Sequence, residues 1–138
     1  MTDIFTKSRR RAIMGAIGSK NTRPEIVLRR ALHHLGYRYR IHVIELPGSP
    51  DIVFPSRRRV IFVHGCFWHR HSCRKGESTP DSRKSFWIKK FHQNQIRDRR
   101  DRWKLRRLGW SSLVVWECQL ANGKMEKTLR RVIGFLDH

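Results

Sequence analysis

Acidic residues are scarce in this 138-residue chain: 11 Asp and Glu stand against 31 Lys and Arg, a formal charge of +20. An excess of that size destabilises a compact state by self-repulsion unless a polyanion offsets it, so nucleic acid is the expected partner. Long apolar runs are missing too. No segment approaches the roughly 20 residues of a membrane span, and no lipidation motif ends the chain, which leaves a basic membrane-binding surface the weaker rival. The opening stretch, MTDIFTKSRRRAIMGAIG, has no continuous apolar core of a secretory signal, so a cytoplasmic location is expected. Cysteine is sparse and odd in number. Cys66, Cys73 and Cys118 cannot all pair, and in a reducing compartment thiols near histidines suggest metal binding or a free thiol rather than a disulfide framework. Repeats and low-complexity tracts are absent, and the length suits one domain over 1–138.

What is present falls into order along the chain. Lys7 to Ile17 is basic, with Ile13, Met14 and Ile17 at helical spacing, and reads as a short helix or arm within residues 1–18. It is either a solvated terminus or a DNA-contacting arm whose cations hold phosphates while Met14 or Ile17 wedges against bases. Asn21 or Thr22 then caps a helix with Pro24 in its first turn, Leu28, Ala31, Leu32 and Leu35 on one face, and Gly36 as its stop. Glu25 is placed to complete a capping box with Thr22, which by itself would account for it. Tyr37 to Ile44 alternates as a strand, LPGSP makes a turn, and a second strand follows with Asp51 at its head, before Ile52, Val53 and Phe54. With the Val60 strand these segments form a consecutive meander.

The densest stretch is VIFVHGCFWHRHSC, from Val60 to Cys73. Val60 to Val63 is an apolar, largely β-branched run, most simply a buried strand. Directly beyond it come His64, Cys66, His69, His71 and Cys73, with Phe67 and Trp68 among them. A buried strand that delivers metal and proton-transfer groups at its end is a way to mount a site on a sheet. Ser72 to Ser85 reads as a loop. Phe86 to Leu108 is a long helix ended by Gly109, in which Phe91, Asp98 and Leu105 share a face. An inward Asp98 needs a metal or a paired cation, and Arg102, one turn on, is the local candidate. Leu113 to Trp116 is another buried strand, with Cys118 just past it. Asn122-Gly123 turns the chain into a last helix that buries Met125, Leu129, Val132, Ile133 and Leu136. The whole is α/β with a mixed sheet flanked by helices.

His71, Cys73, Asp98 and Cys118 together would supply four N, S and O ligands, the closed tetrahedral set of a structural zinc. Such an ion would tie a long loop to the sheet and helix of a self-repelling domain. Cys66, next to the strand, reads as a packed thiol.

Several separate segments, in order, resemble one family. Pro50-Asp51, HGCFWHRHSC, FWIKK, RDRRD and GWSSLVVWEC are similar to the very-short-patch repair (Vsr) mismatch endonucleases over nearly the whole chain. The resemblance implies a restriction-endonuclease-like fold. It implies an enzyme that nicks double-stranded DNA 5′ of the T in T·G mismatches left by 5-methylcytosine deamination. It also implies Mg²⁺ held by Asp51 and the Val63 carbonyl, His69 as general base, His64 assisting at the phosphate and Glu25 supporting the site. Phe67 and Trp68 would insert beside the mismatch, with Met14 and Ile17 pressing from the other groove, and His71, Cys73, Asp98 and Cys118 would hold zinc. A bacterial, nucleoid-associated monomer acting beside mismatch-repair proteins and a cytosine DNA methyltransferase is the implied setting. Phe62 and His64 stand where nuclease folds of this type place an acid and a Lys. Two other readings keep the residues but change the role: a nuclease for other DNA structures, or a zinc-stabilised DNA-binding module without catalysis.

Overall fold

The computed structural model describes residues 21–69, 71–121 and 123–138. The basic arm, with Met14 and Ile17, lies outside them.

Helix α1 (Arg23–His34) follows Thr22, carries Pro24 in its first turn and buries Leu28 and Leu32, as its periodicity predicts. The capping box does not form. Thr22 makes no side-chain cap, and Glu25 Oε1 instead accepts the Asn21 N–H at 3.2 Å. Glu25 is 1% exposed, so its carboxylate serves the interior.

The expected Tyr37–Ile44 strand contracts to β1 (Arg40–Ile41). His42 adopts φ 49°, in the left-handed region that extended backbone cannot include. Strands β2 (Ile52–Phe54) and β3 (Arg59–His64) follow, joined by a 3₁₀ turn at Pro55–Arg57. β1, β2 and β3 pair antiparallel as a meander, and β3 pairs in parallel with β4 (Ser111–Trp116), from Arg59↔Ser111 to His64↔Trp116. The sheet order is β1-β2-β3-β4, the mixed sheet that the sequence implies.

Strand alternation sorts the core into two layers. Ile52, Phe54, Ile61 and Val115 point to the face covered by Leu28 and Leu32 of α1 and Val132 and Leu136 of the C-terminal helix. Val53, Val60 and Phe62 point to the other face, against Leu105. Each fully buried aliphatic chain contributes about 1.5–3 kcal/mol, so the two apolar layers, not the charged surface, hold the fold.

The β3–β4 crossover carries three helices: α2 (Cys66–His69), α3 (Arg74–Glu77) and α4 (Lys84–Arg107). The last of these stops as its Gly109 predicts. Gly109 takes φ 87°, and the Trp110 N–H reaches back to the Leu105 carbonyl at 3.0 Å, satisfying an end-of-helix acceptor. Gly48, at φ 79°, sits so close to α4 that an added Cβ would stand 3.0 Å from Asp101 Cβ. That closeness sets the turn before Asp51 against the helix. The chain ends in α5 (Met125–Leu136). Among the described residues no helix is long and apolar enough to cross a membrane.

Candidate active site

The alternation that builds the second core layer also builds the site. Asp51 shares the parity of Val53, and His64 that of Val60 and Phe62, so both face α4. Where the apolar layer ends, a cleft of about 380 Å³ opens, lined by Asp51, Val63, His64, His69 and Asp98, with Arg97 and Arg102 at its wall.

At one end stand two acids. Asp51 Oδ2 accepts the Val63 N–H at 2.7 Å. Glu25 Oε2 lies 2.6 Å from Arg29 and 2.8 Å from His42 Nε2. Glu25, His42 and Asp51 each present a ligand atom, all within 4.8 Å of one another. Burial pushes the Asp51 carboxyl up to about 7, reinforced by the Glu25 charge and only partly opposed by the Val63 N–H. A buried acid pair under this strain suits a hard divalent cation, which favours carboxylate and carbonyl oxygens. His42 had no signal in the sequence beyond its place in an alternating run. Its main-chain N–H donates to the Asp51 carbonyl at 3.2 Å, so it braces both acids.

At the other end stand two stacked imidazoles. The rings of His64 and His69 lie 3.8 Å apart at 5°. His69 Nδ1 is 2.5 Å from Asp98 Oδ2. Burial alone would raise the Asp98 carboxyl, but the His69 hydrogen bond and charge outweigh it and hold it low. An ionised carboxylate only accepts, so Nδ1 is the nitrogen that donates to it. Burial, with the neighbouring His69 charge, lowers His64 to about 3, which keeps it neutral. Its buried Nδ1 has no partner among the described residues.

Asp98 therefore does not join the sulfur ligands, contrary to the set His71, Cys73, Asp98 and Cys118. The cluster that could hold zinc is Cys66, His71, Cys73 and Cys118, with ligand atoms within 4.8 Å of one another. Cys118 Sγ and Cys66 Sγ lie 3.4 and 3.8 Å from His71 Nδ1. Zn–S near 2.3 Å and Zn–N near 2.05 Å on a tetrahedron place N and S about 3.5 Å apart, so the donors fit the ion. Cys66 joins because the single turn of α2 folds the chain back, with the His71 N–H donating to the Cys66 carbonyl at 3.1 Å. Burial, together with the contacts to Cys73 and Cys118, pushes its thiol up to about 12, a cost that a cation on the sulfurs relieves. The spacing Cys-x₄-His-x-Cys was the available signal. Burial had made Cys66 look like a packing residue only.

Between the two groups, α2 presents Phe67 and Trp68. Phe67 is half-buried, edge-on to Trp87 and Phe91 with ring centroids at 5.7 and 5.0 Å. Trp68 is 44% exposed, and its carbonyl accepts from Asn94 Nδ2 at 3.1 Å. The aromatic pair is thus supported from α4, with Trp68 packed on Phe67 and Trp87 yet partly exposed.

A model of the family described as DNA mismatch endonuclease Vsr matches residues 2–75. The type II nicking enzyme V.XorIIP of Xanthomonas oryzae pv. oryzae is 51% identical over 134 residues, covering 96% of this chain and 98% of that protein. V.NmeAIP of Neisseria meningitidis, also a type II nicking enzyme, is 45% identical, covering 88% and 86%. The DNA mismatch endonuclease Vsr of Escherichia coli is 43% identical over 120 residues, covering 87% and 76%. With a mixed sheet, a carboxylate–imidazole cleft and agreement of this extent, the chain belongs to the DNA mismatch endonuclease Vsr family.

Proposed function

We propose that this protein is a Mg²⁺-dependent endonuclease that nicks one strand of duplex DNA 5′ of the T in a T·G mismatch left by 5-methylcytosine deamination. The observation that carries the chemistry is the His69–Asp98 pair sharing one cleft with Asp51, Arg97 and Arg102. The substrate class follows from the relatives named as mismatch endonuclease and nicking enzymes.

Hydrolysis of a phosphodiester needs a nucleophile, a base to take its proton and charge to meet the developing oxyanion. His69 is the base. Asp98 holds its Nδ1–H, so Nε2 faces the cleft ready to take a proton from water, and the imidazolium that forms is stabilised by the same carboxylate. His64, stacked flat and neutral, fixes the plane of His69 and faces the phosphate without adding a charge that would repel the protonated base. Asp51 and the Val63 carbonyl would hold Mg²⁺, which when bound polarises the scissile phosphate and stabilises its transition state. Glu25, clamped by Arg29 and His42, fixes Asp51 from behind. Cys66, His71, Cys73 and Cys118 would hold zinc and so anchor α2 beneath the site.

Recognition falls to Phe67 and Trp68, and to Met14 and Ile17 from the arm. An aromatic wedge favours a step that is cheap to unstack, and a mismatch is cheaper than a Watson–Crick pair. The test is a labelled duplex with one T·G mismatch beside its paired control, with Mg²⁺ or without. Wild type should nick only the mismatched duplex, beside the T, and Asp51→Ala and His69→Ala should bind without nicking. Binding by wild type with no nick in any sequence context would leave a zinc-held DNA-binding module.

A further inference from the structure

Asp98 was the natural partner for Arg102, one helical turn on, yet the structure gives that carboxylate to His69. Arg102 is left half-buried, with no carboxylate paired to it among the described residues. A guanidinium half out of water and without a counter-ion is costly unless an anion arrives. Its position says where. A second cleft of about 320 Å³ adjoins the first at His64, His69, Asp98 and Arg102, with His71, Ser72, Gln95, Arg99 and Trp116 on the rest of its wall. Arg102 lines both clefts. The other cleft arginine, Arg97, is held by Asn94 at 3.0 Å, so it is already committed to the support of Trp68.

We propose that this second cleft is a subsite for a DNA backbone phosphate next to the scissile one, built by Arg99, Arg102, Gln95 and Ser72, with Arg102 bridging the two. The proposal rests on the endonuclease reading. Arg suits the role, because its planar fork can meet two phosphate oxygens at once while Gln95 and Ser72 supply neutral donors. Two consecutive phosphates held in the two adjoining clefts would fix the strand's direction past the imidazoles. The rings would then meet one phosphodiester and not its neighbours.

The experiment compares wild type with Arg102→Ala, Arg102→Gln and Arg102→Lys by fluorescence anisotropy without Mg²⁺, over a range of KCl concentrations. Arg102→Ala should weaken mismatched and fully paired duplexes alike, about tenfold, and reduce the salt slope by roughly 1, as loss of one phosphate contact requires. Arg102→Gln should match it with the stem retained, and Arg102→Lys should restore the slope but only part of the affinity. Single methylphosphonates beside the nick position add the second arm. At one of them, wild type should fall to the level of Arg102→Ala, while the variant should not weaken further. An unchanged salt slope in both Arg102→Ala and Arg102→Gln would overturn the subsite, as would methylphosphonate losses equal in wild type and variant. Wild type that binds but never nicks would defeat the endonuclease reading alone, since neither arm depends on cleavage.

Discussion

His69 and His71 leave the same short stretch of chain and meet opposite surroundings. His69 turns to oxygen: the Asp98 carboxylate at 2.5 Å, with His64 stacked on its ring and Asp51 lining the same cleft. His71 turns to sulfur, with Cys118 at 3.4 Å, Cys66 at 3.8 Å and the Trp116 ring stacked at 4.4 Å. Burial and the Lys124 charge hold His71 low, in the neutral form that a metal ligand needs. Soft thiolates hold an ion permanently and close its coordination shell, whereas a cleft of carboxylates and imidazoles keeps positions for water and substrate. One residue between two histidines thus separates a thiol cluster from a carboxylate-lined cleft.

The largest effect should come from breaking the sulfur side. Cys118→Ser should lose bound zinc, measured by atomic absorption. It should also lower Tm by about 10 °C or more, taking a loss of about 3 kcal/mol at roughly 3–5 °C per kcal/mol for this length. DNA binding should fall with it, because α2 would lose its anchor. A variant that keeps its Tm after losing the metal would make the cluster dispensable to the fold.

Asp98→Asn tests the other side. Zinc content and Tm should stay near wild type, while nicking falls about a hundredfold or more with mismatch binding intact, the loss expected when a general base loses its orienting partner. Loss of zinc in this variant would return Asp98 to the sulfur cluster. Trp68→Ala should leave folding unchanged, since the ring is 44% exposed. Affinity for the mismatched duplex should drop roughly 5- to 150-fold, from a stacking contribution of about 1–3 kcal/mol. An equal loss on paired DNA would deny the ring a part in recognition.

A pH dependence tests the acid end of the cleft. Without added Mg²⁺ the folded protein keeps the Asp51 proton up to about 7, while the unfolded chain releases it near 3.8. Between these values the folded state binds the extra proton, so this group's contribution to stability falls as pH rises through the window. Asp51→Asn lacks that loss. Its Tm relative to wild type should therefore climb between about pH 4 and pH 7.5, the His64 contribution being common to both proteins. A difference that stays flat across the window would remove burial as the cause.

How much of this was legible in the chain follows from what periodicity can carry. β3, β4 and α5 were readable because burial on a sheet or helix face imposes a repeat, and the meander with a parallel fourth strand follows from their order. β1 shrank because His42 turns left-handed, a choice that no alternation records. α2, only Cys66–His69, is too short to show a period, yet it sets Cys66 among the thiols and His69 in the cleft. The heptad of Phe91, Asp98 and Leu105 correctly told that Asp98 faces inward. It could not tell that the partner would come from another segment and not from Arg102. Glu25 satisfied a capping rule and was used for something else. Cys66 was buried as expected, but a buried thiol can also be a ligand.

The parallel pairing of β3 with β4 has a further consequence, for synthesis. Asp51, His64 and His69 leave the ribosome well before Trp116, which stacks on His71, and Cys118, which completes the sulfur set. Parallel strands can join only after the whole crossover is made, so the sheet that carries the cleft is completed late. A nascent or truncated chain ending before β4 carries Asp51, His64 and His69 but lacks the strand that pairs with β3 along its whole length.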